Sequence, residues 1–532
     1  MKKSVYRKLA GLCVSALILS LALCGCSGEE ENPSDDEESS NMENIRPSIT
    51  LVDDQNSDKV MTEKPFETPA FKGNENIFTL SAIYSDHMVL QANMNCRIFG
   101  KYAGEGNQVA ACLEQVSTGE KRTFYGAVDD AGEFEIWLGA TGYGGPYTLT
   151  LFNAAGNSLV FQDVLFGEVY VLGGQSNMGW ALSQCYDGTT AQNRYQDIID
   201  ASANDQVRSM LVFPAQSDTP VAYLENCSRW AAAAPGTVPG WSAVGYFFAA
   251  RLNEIYQVPV GVISACMGGI PIGEWRRSGS WYNGTVAPLH KMTVRGVCWY
   301  QGEGDCNGYA DRLAALIAEW REDFGNPGLY WASVQLPRYI NETAWAQSRE
   351  EVKSLKAVVD RYTYCVTLDT GLFPEFKAEG DTLNDDGIHP YDKLAVGTRL
   401  ADAAAKDFYG AEGLWSSPVF QSAVFADGKV TVTFDNVGEG LCLQGLAGFE
   451  VAGRGENYYD AAPVLTGKNT VVLVCDQVPS PRYIRYGYKN RRGEGITSCA
   501  QSVCVYNTKD GSTPAYPAEQ FTGRIQNVSP AA

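Results

Sequence analysis

The sequence predicts a parallel α/β core that lies between two smaller β domains, and three observations support this fold class. Between residues 163 and 412, short apolar segments alternate with helical stretches, which is typical of a parallel sheet covered by helices on both faces. The regions before and after alternate apolar and polar residues in short runs that Gly-rich turns separate. The length of 532 residues also exceeds the size at which one hydrophobic core keeps growing, so several domains are expected.

Residues 1–26 are typical of a bacterial export signal. Basic residues at positions 2, 3, 7 and 8 precede an apolar stretch, 9–23, that is too short to predict a membrane-spanning helix. The sequence LCGC at 23–26 resembles a lipobox, in which the last cysteine, here Cys26, becomes the lipidated first residue. We therefore expect an exported lipoprotein, at the cell surface or in the periplasm, that is anchored to the lipid bilayer. Cys24 is unusual in a lipobox, so cleavage by an ordinary signal peptidase is the alternative.

Residues 27–75 are rich in Glu, Asp, Ser, Asn and Pro and contain few apolar residues. Such a composition buries too little surface to offset the entropy of ordering, so the segment is predicted to be a flexible tether. It carries part of the net charge of −21. Because phosphate binding needs a basic face, this charge argues against nucleic acid as a partner. No obligate protein partner is evident from the sequence.

Three folded regions are predicted after the tether: a small β-sandwich domain at 76–162, the α/β domain at 163–412 and a second β domain at 413–532. The active site of a parallel sheet lies at the carboxyl ends of its strands. Within the α/β domain, the predicted strands are 169–172, 258–264, 297–300, 330–335 and 364–368, and the predicted helices include 345–360 and 393–405.

The sharpest local signal is the segment VYVLGGQSNM at 169–178, in which a strand runs into a Gly-containing turn that leads to Ser176. Such a turn exposes the Ser hydroxyl and frees backbone N–H groups at a helix start, as an acyl-transfer nucleophile requires. A serine in this position can also simply cap the following helix. The motif alone leaves both interpretations open.

A serine nucleophile needs a base, and the chain contains only three histidines. His389 is the strongest candidate, because Asp386, three residues earlier, can orient its imidazole and stabilise its charged form. His87 falls in the first β domain and His290 follows an apolar segment, so both are interpreted as structural.

The cysteines and histidines predict no metal site, zinc in particular. The chain has 15 cysteines, but those after the export segment form no C-x-x-C pair and no His lies near them at metal-ligand spacing. Positions such as Cys266, Cys298 and Cys365 lie in apolar, strand-like runs, where small buried thiols are expected.

Another strand, 296–300, ends in the polar turn QGE at 301–303. The Gln301 side chain can donate an N–H to a tetrahedral oxyanion, together with the backbone N–H of Ser176 and that of Gly268 or Gly269. Glu303 has a rival use, since glycoside hydrolysis needs a pair of carboxylates. That chemistry leaves the Ser and His motifs unexplained.

Three sequence blocks stand out, namely GQSNM at 174–178, WYQGE at 299–303 and IHP at 388–390. In this order, they resemble the sialate O-acetylesterase family within the wider SGNH hydrolase group. The resemblance extends from about residue 77 to about residue 488. Further matches are YSDHMVLQ at 84–91, DVLFGEV at 163–169, YNG at 282–284, APL at 287–289 and RYIRYG at 482–487.

The resemblance implies a flavodoxin-like SGNH hydrolase core with accessory β domains, no cofactor, and hydrolysis of acetyl esters on sialic acid or a related sugar. It assigns the nucleophile to Ser176 and the base to His389. The acid maps most naturally to Asp386. The family usually carries Asp two residues before the His, where this chain has Gly, so Asp385 and Asp381 stay open. The polar residues expected to contact substrate are Gln175, Asn177 and Glu303.

The predicted function is an exported serine esterase that removes O-acetyl groups from carbohydrate, above all from 9-O-acetylated sialic acid, through an acetyl-serine intermediate. Acetylxylan or another plant polysaccharide is the alternative substrate. The competing classes are a glycoside hydrolase and a carbohydrate-binding surface protein that has kept the fold without activity.

Overall fold

The computed structural model describes residues 56–73, 75–185, 193–339, 344–371, 388–390, 392–444, 448–488 and 505–527. Antiparallel strands dominate its first part, where β1, β3 and β6 form one small sheet and β4 pairs with both β5 and β7. These strands are β1 (Phe78–Leu80), β2 (Val89–Gln91), β3 (Cys96–Tyr102), β4 (Gln108–Gln115), β5 (Lys121–Ala127), β6 (Glu133–Leu138) and β7 (Gly144–Phe152).

Part of the predicted tether is ordered, which corrects the prediction for residues 56–73. Met61 forms a β-bridge with Tyr125. The Phe66 ring packs edge to face on the rings of Tyr125 and Phe152, with centroids 5.6 and 6.0 Å apart. Composition averaged over 27–75 hides these few aromatic anchors, and aromatic side chains bury large apolar areas.

One long strand, β8 (Ser158–Gly174), joins the first β region to the core. Its early residues pair with β7 and, in parallel, with β2, and its later residues run between the central strands. The predicted domain boundary between residues 162 and 163 therefore falls inside a continuous strand. Asp163 has a positive φ of 55° there, where the chain passes from one sheet region into the other.

The core is a twisted sheet whose strand order is β10-β9-β11-β8-β12-β13-β14. All neighbouring pairs from β9 to β14 are parallel, which confirms the predicted parallel sheet, and β10 is antiparallel at the edge. The strands are β9 (Asn204–Leu211), β10 (Ala231–Ala233), β11 (Val260–Cys266), β12 (Gly296–Tyr300), β13 (Tyr330–Val334) and β14 (Tyr362–Cys365).

Helices cover both faces of this sheet. Along β12, Val297 and Trp299 belong to the apolar cluster that includes Trp320 of α4, whereas Cys298 and Tyr300 face the cluster built by α3 and α6. This alternation follows from the two-residue period of a strand, and it explains why such strands read as continuous apolar runs. The helices are α1 (Ser176–Gly179), α2 (Gln196–Asp200), α3 (Ala243–Tyr256), α4 (Tyr309–Asp323), α5 (Ala344–Ser354) and α6 (Lys393–Tyr409).

The element bounds differ from the predicted ones where the chemistry of single residues intervenes. The strand predicted from residue 258 begins at Val260, because Pro259 has no N–H for the ladder. The helix predicted to end at residue 360 ends at Ser354, before the β-branched pair at 358–359. No helix among the described residues is long and apolar enough to cross a membrane.

The C-terminal region folds as small antiparallel sheets around their own apolar cluster. It docks on the core through buried polar contacts, such as Arg349 Nε donating to Gln520 Oε1 at 2.6 Å. Its strands are β15 (Val419–Ala426), β16 (Lys429–Asp435), β17 (Gly440–Leu443), β18 (Phe449–Ala452), β19 (Tyr458–Asp460), β20 (Ala462–Leu465), β21 (Thr470–Val474), β22 (Tyr483–Tyr486), β23 (Val505–Thr508), β24 (Pro514–Pro517), β25 (Phe521–Arg524) and β26 (Gln526–Asn527).

Among the described cysteines, Cys112, Cys185, Cys298 and Cys365 are buried free thiols. Cys298 and Cys365 lie in the core as predicted, and Cys266 is half-buried at the end of β11. Burial raises the pKa of Cys266 and of Cys365 to about 12, so both stay protonated at neutral pH.

Candidate active site

Three neighbouring strands end together at one point of the core sheet. In the parallel ladders, Gly174 of β8 is the register partner of Cys266 in β11 on one side and of Tyr300 in β12 on the other. The segments that follow these strands carry the predicted nucleophile and the predicted oxyanion donors. The carboxyl edge of a parallel sheet thus collects residues that lie far apart in the sequence.

The turn after β8 requires glycine. Gly174 has a φ of +122°, and a Cβ there would lie 2.1 Å from the carbonyl oxygen of Tyr300. Glycine adopts this backbone conformation readily, whereas a residue with a Cβ would lose stability in it. The chain then reverses through Gln175, and Ser176 becomes the first residue of the short helix α1.

Ser176 and His389 meet as the sequence motifs predict. The Ser176 Oγ lies 2.7 Å from the His389 Nε2, although the two residues are 213 positions apart. The imidazole also stacks on the indole of Trp180, with ring centroids 4.4 Å apart and an angle of 21° between the planes. The hydroxyl is therefore within hydrogen-bond reach of an imidazole whose ring plane is held from one side.

Backbone N–H groups lie close to Ser176. A Cβ at Gly268 would lie 3.4 Å from the Ser176 Cβ, so the chain after β11 packs directly against the serine. Within the described ranges, no acceptor is bound by the backbone N–H of Ser176, Gly268 or Gly269. The neighbouring Met267 N–H, in contrast, donates to the Gly174 carbonyl at 3.2 Å. Free N–H groups beside a nucleophile can stabilise an oxyanion.

Gln301 is nearly fully buried, with 1% of its surface exposed. Neither its amide nitrogen nor its amide oxygen has a hydrogen-bond partner among the described residues. Burial raises the pKa of Asp305, but hydrogen bonds from Arg312 and the Ile272 N–H outweigh it and lower that pKa overall. Asp305 is therefore held as a carboxylate by protein donors.

Asn177 is fully buried beside Ser176. Its Nδ2 donates to the Glu303 Oε1 at 2.7 Å and to the Ile388 carbonyl at 3.0 Å, and its Oδ1 accepts from the Lys393 Nζ at 2.5 Å. Every polar atom of this amide is thus used inside the protein. The structure gives Asn177 a framework position, in contrast to the substrate contact predicted from the sequence.

Glu303 and Gln175 are also engaged by the protein. The Glu303 carboxyl accepts the hydrogen bond from Asn177. Burial raises the pKa of this carboxyl, while Asn177 and Lys393 act in the opposite direction. The Gln175 Nε2 donates to the Ile270 carbonyl at 2.9 Å. Contact of either side chain with substrate stays a prediction.

The other two histidines occupy different surroundings. His87 is exposed and its Nδ1 lies 2.6 Å from Asp163 Oδ2, where the first β region meets the core. His290 packs between the rings of Tyr282 and Phe324, and burial lowers its pKa to about 4. These environments agree with the structural interpretation of both residues.

Some predicted positions lie outside the described residues, namely Cys26 and the three candidate acids Asp381, Asp385 and Asp386. Two residues of the site were missed by sequence analysis: Trp180 and Lys393. Lys393 carried a usable signal, because it lies three and seven positions before Val396 and Leu400, which are buried on one helix face. A lysine on the apolar face of a helix is rarely buried without a partner.

Comparisons with known proteins give a consistent picture. Residues 166–406 match the family model described as carbohydrate esterase, sialic acid-specific acetylesterase. The sialate O-acetylesterase of Homo sapiens is 26% identical over 399 residues, which cover 63% of this chain and 72% of the human protein. That of Pongo abelii is 25% identical over 396 residues, with the same coverage of 63% and 72%. A carbohydrate acetylesterase from Xanthomonas citri, known as a crystal structure, is 29% identical and superimposes with a TM-score of 0.70, covering 84% of this chain and 99% of that one.

Proposed function

We propose that this chain, a carboxylic ester hydrolase whose residues 166–406 belong to the sialic acid-specific acetylesterase family, removes O-acetyl groups from carbohydrate with Ser176 as nucleophile and His389 as base. The observation that carries the proposal is the 2.7 Å separation between Ser176 Oγ and His389 Nε2 at the carboxyl edge of the sheet. The hydroxyl, the imidazole and the unbonded N–H groups are the parts that acyl transfer needs.

The first half of the reaction forms an acetyl-enzyme. His389 Nε2 takes the Ser176 proton as Oγ attacks the acetyl carbonyl carbon. The negative charge that develops on the carbonyl oxygen is stabilised by the N–H groups of Ser176 and of Gly268 or Gly269, with Gln301 as a further donor. The tetrahedral intermediate then collapses, the bond to the sugar oxygen breaks, and the sugar hydroxyl leaves with the proton from His389.

The second half releases acetate. A water molecule gives its proton to His389 Nε2 and attacks the acetyl carbon, and the Ser176 oxygen takes the proton back as the ester bond breaks. The imidazole carries a positive charge in both halves. We propose Asp386 as the carboxylate that orients it, with Asp385 and Asp381 as alternatives.

For the substrate, we propose 9-O-acetylated sialic acid, with acetylxylan or another plant polysaccharide as the second candidate. Two sialate O-acetylesterases among the relatives support the first. The Xanthomonas citri structure supports the broader class of acetylated carbohydrate. The hydrogen bond from Asn177 to Glu303 weighs against glycoside hydrolysis, because it ties the suggested carboxylate into the protein framework.

We also propose a flavodoxin-like SGNH arrangement for the core, supported by its parallel strand order and two-sided helix cover. Export and lipid anchoring through Cys26 rest on the sequence of residues 1–26. The test of the anchor is labelling of the protein with a radioactive fatty acid. We expect the wild type to take up the label and a Cys26→Ser variant to lose it. An equal label in the variant would overturn it.

The decisive experiment measures acetate release from 9-O-acetylated sialic acid, from acetylxylan and from 4-nitrophenyl acetate. Ser176→Ala and His389→Ala are each expected to lower kcat by about 10⁴-fold or more, because nucleophile and base act as one unit. His87→Ala is the matched control and retains turnover. The better natural substrate sets the specificity. An inert wild type on all three substrates, combined with measurable sugar binding, would support the non-catalytic class instead.

A further inference from the structure

Asn177 connects the turn that carries Ser176 to the segment that carries His389. It is adjacent to Ser176 in the chain, and its Nδ2 bonds the carbonyl of Ile388, the residue before His389. The same Nδ2 bonds Glu303, which follows strand β12. A single side-chain amide therefore spans the three sequence blocks that form the site.

The amide works only in one orientation. The two groups next to Nδ2, a carboxylate oxygen and a carbonyl oxygen, are acceptors, so they need the N–H₂ end of the amide. Oδ1 in turn needs a donor, and Lys393 Nζ supplies it at 2.5 Å. Since Asn177 has 0% of its surface exposed, bulk solvent does not reach its amide.

Lys393 is itself fully buried at the first position of α6, with its ammonium 5.5 Å from the centre of the Tyr300 ring. The titratable groups that act on it from the described part of the chain are Cys185, Glu303 and Asp392. Burying an ammonium is costly unless it is bonded to partners. Burial lowers the pKa of Lys393 to about 8, while these neighbours act in the opposite direction.

We propose that Lys393 is a positioning residue of the ester-hydrolysing site, which acts through Asn177 to hold Ser176 and His389 at bonding distance. This inference rests on the proposed roles of Ser176 and His389. Without the ammonium, the amide loses the partner of its oxygen, and rotation of the amide would place that oxygen against Glu303 and Ile388. The turn that carries Ser176 and the segment that carries His389 would then move apart.

The test is Lys393→Met, which keeps the length of the side chain and removes the donor. We expect kcat for 4-nitrophenyl acetate to fall about 100-fold, because small displacements of reacting groups have effects of this size, while KM changes less than about twofold. Covalent labelling of Ser176 by a fluorophosphonate should slow in parallel, since the reagent reports on the reactivity of the nucleophile. Lys353→Met, a half-buried lysine of α5 that bonds Glu350 and the Gln520 carbonyl, is the matched control with unchanged kcat.

A second pair of variants covers the case in which Lys393→Met does not fold. Asn177→Asp keeps the acceptor for Lys393 but sets a carboxylate against Glu303, and kcat should fall by about 100-fold. Adding Glu303→Gln restores a donor and acceptor pair and should recover about 10-fold or more of that loss.

Several results would overturn the proposal. A folded Lys393→Met variant with kcat and labelling rate within about twofold of wild type would do so, and so would a double variant no better than Asn177→Asp. Failure of the proposed function shows separately, because Ser176→Ala would then keep the turnover of the wild type whatever the Lys393 variants do.

Discussion

Trp180 offers a direct test of how the base is held and charged. Its indole is nearly buried, with 7% of its surface exposed, and it stacks on the His389 ring at 4.4 Å. Replacement by Leu removes the ring but keeps an apolar side chain. Replacement by Phe keeps a smaller ring in the same place. The indole N–H donates to the Gln184 carbonyl at 3.1 Å, and both variants lose that bond, so comparing them isolates the ring.

The expected size follows from the charge of the imidazole. An aromatic face stabilises a nearby cation by about 1 to 2 kcal/mol when the contact is largely desolvated. The imidazolium that forms as Ser176 attacks would lose this stabilisation, which corresponds to about a 5- to 30-fold fall in kcat. In the free enzyme, the charged form of the base also becomes less stable, so the acid limb of kcat/KM moves to lower pH by about one unit.

The assay is the pH dependence of 4-nitrophenyl acetate hydrolysis between pH 4 and 9. Trp180→Leu should show the lower plateau and the displaced acid limb, and Trp180→Phe should lie between it and wild type. Trp415→Leu is the control, because Trp415 contacts Arg251 and Lys509 and neither belongs to the site. A Trp180→Leu profile that coincides with wild type in both plateau and limb would refute the role of the stacked ring.

Two further predictions concern stability. Burial lowers the pKa of His290 from 6.5 to about 4, so the folded state holds it neutral while the unfolded state takes up a proton below about pH 6.5. Its contribution is lost as the pH falls from about 6.5 to about 4, with a total of about 3 kcal/mol, and the thermal midpoint of His290→Leu should depend less on pH in this window. Arg295→Met leaves Glu168 buried without its charge partner at 2.9 Å. The free energy of unfolding should therefore fall by about 3 to 5 kcal/mol, and the denaturation midpoint should fall with it. Adding Glu168→Gln to this variant should restore part of the lost stability. The kcat per active site, with active sites counted by fluorophosphonate labelling, should not change in either variant. An unaltered pH dependence or an unaltered midpoint would contradict the respective prediction.

The sequence was sufficient to predict the strands that are buried on both faces of the sheet, because such strands appear as continuous apolar runs. The apolar runs at 169–172, 297–300 and 330–335 predicted strands that the structure places side by side and in parallel. The continuity of β8 could not be predicted, because a change of period at Asp163 looks like a boundary. A bend within one strand and a break between two domains leave the same pattern in a sequence.

The site was predictable to the extent that its residues carry motifs. Ser176 and His389 stand in short turns next to strands or helices, and three histidines left few alternatives for the base. Trp180 follows the nucleophile by four positions, and nothing in its local pattern indicates that it stacks on a ring from residue 389. Contacts of this kind depend on the path of the chain between the two residues, which local periodicity does not encode.

Helix α6 contacts both the candidate site and the C-terminal region. His389 lies just before this helix, and Asn177 binds the chain there through the Ile388 carbonyl. Further along the helix, Asp402 accepts from the Tyr516 hydroxyl at 2.7 Å, and Arg399 pairs with Asp369 at 2.6 Å. The β region that closes the chain is therefore bonded to the same helix that follows His389.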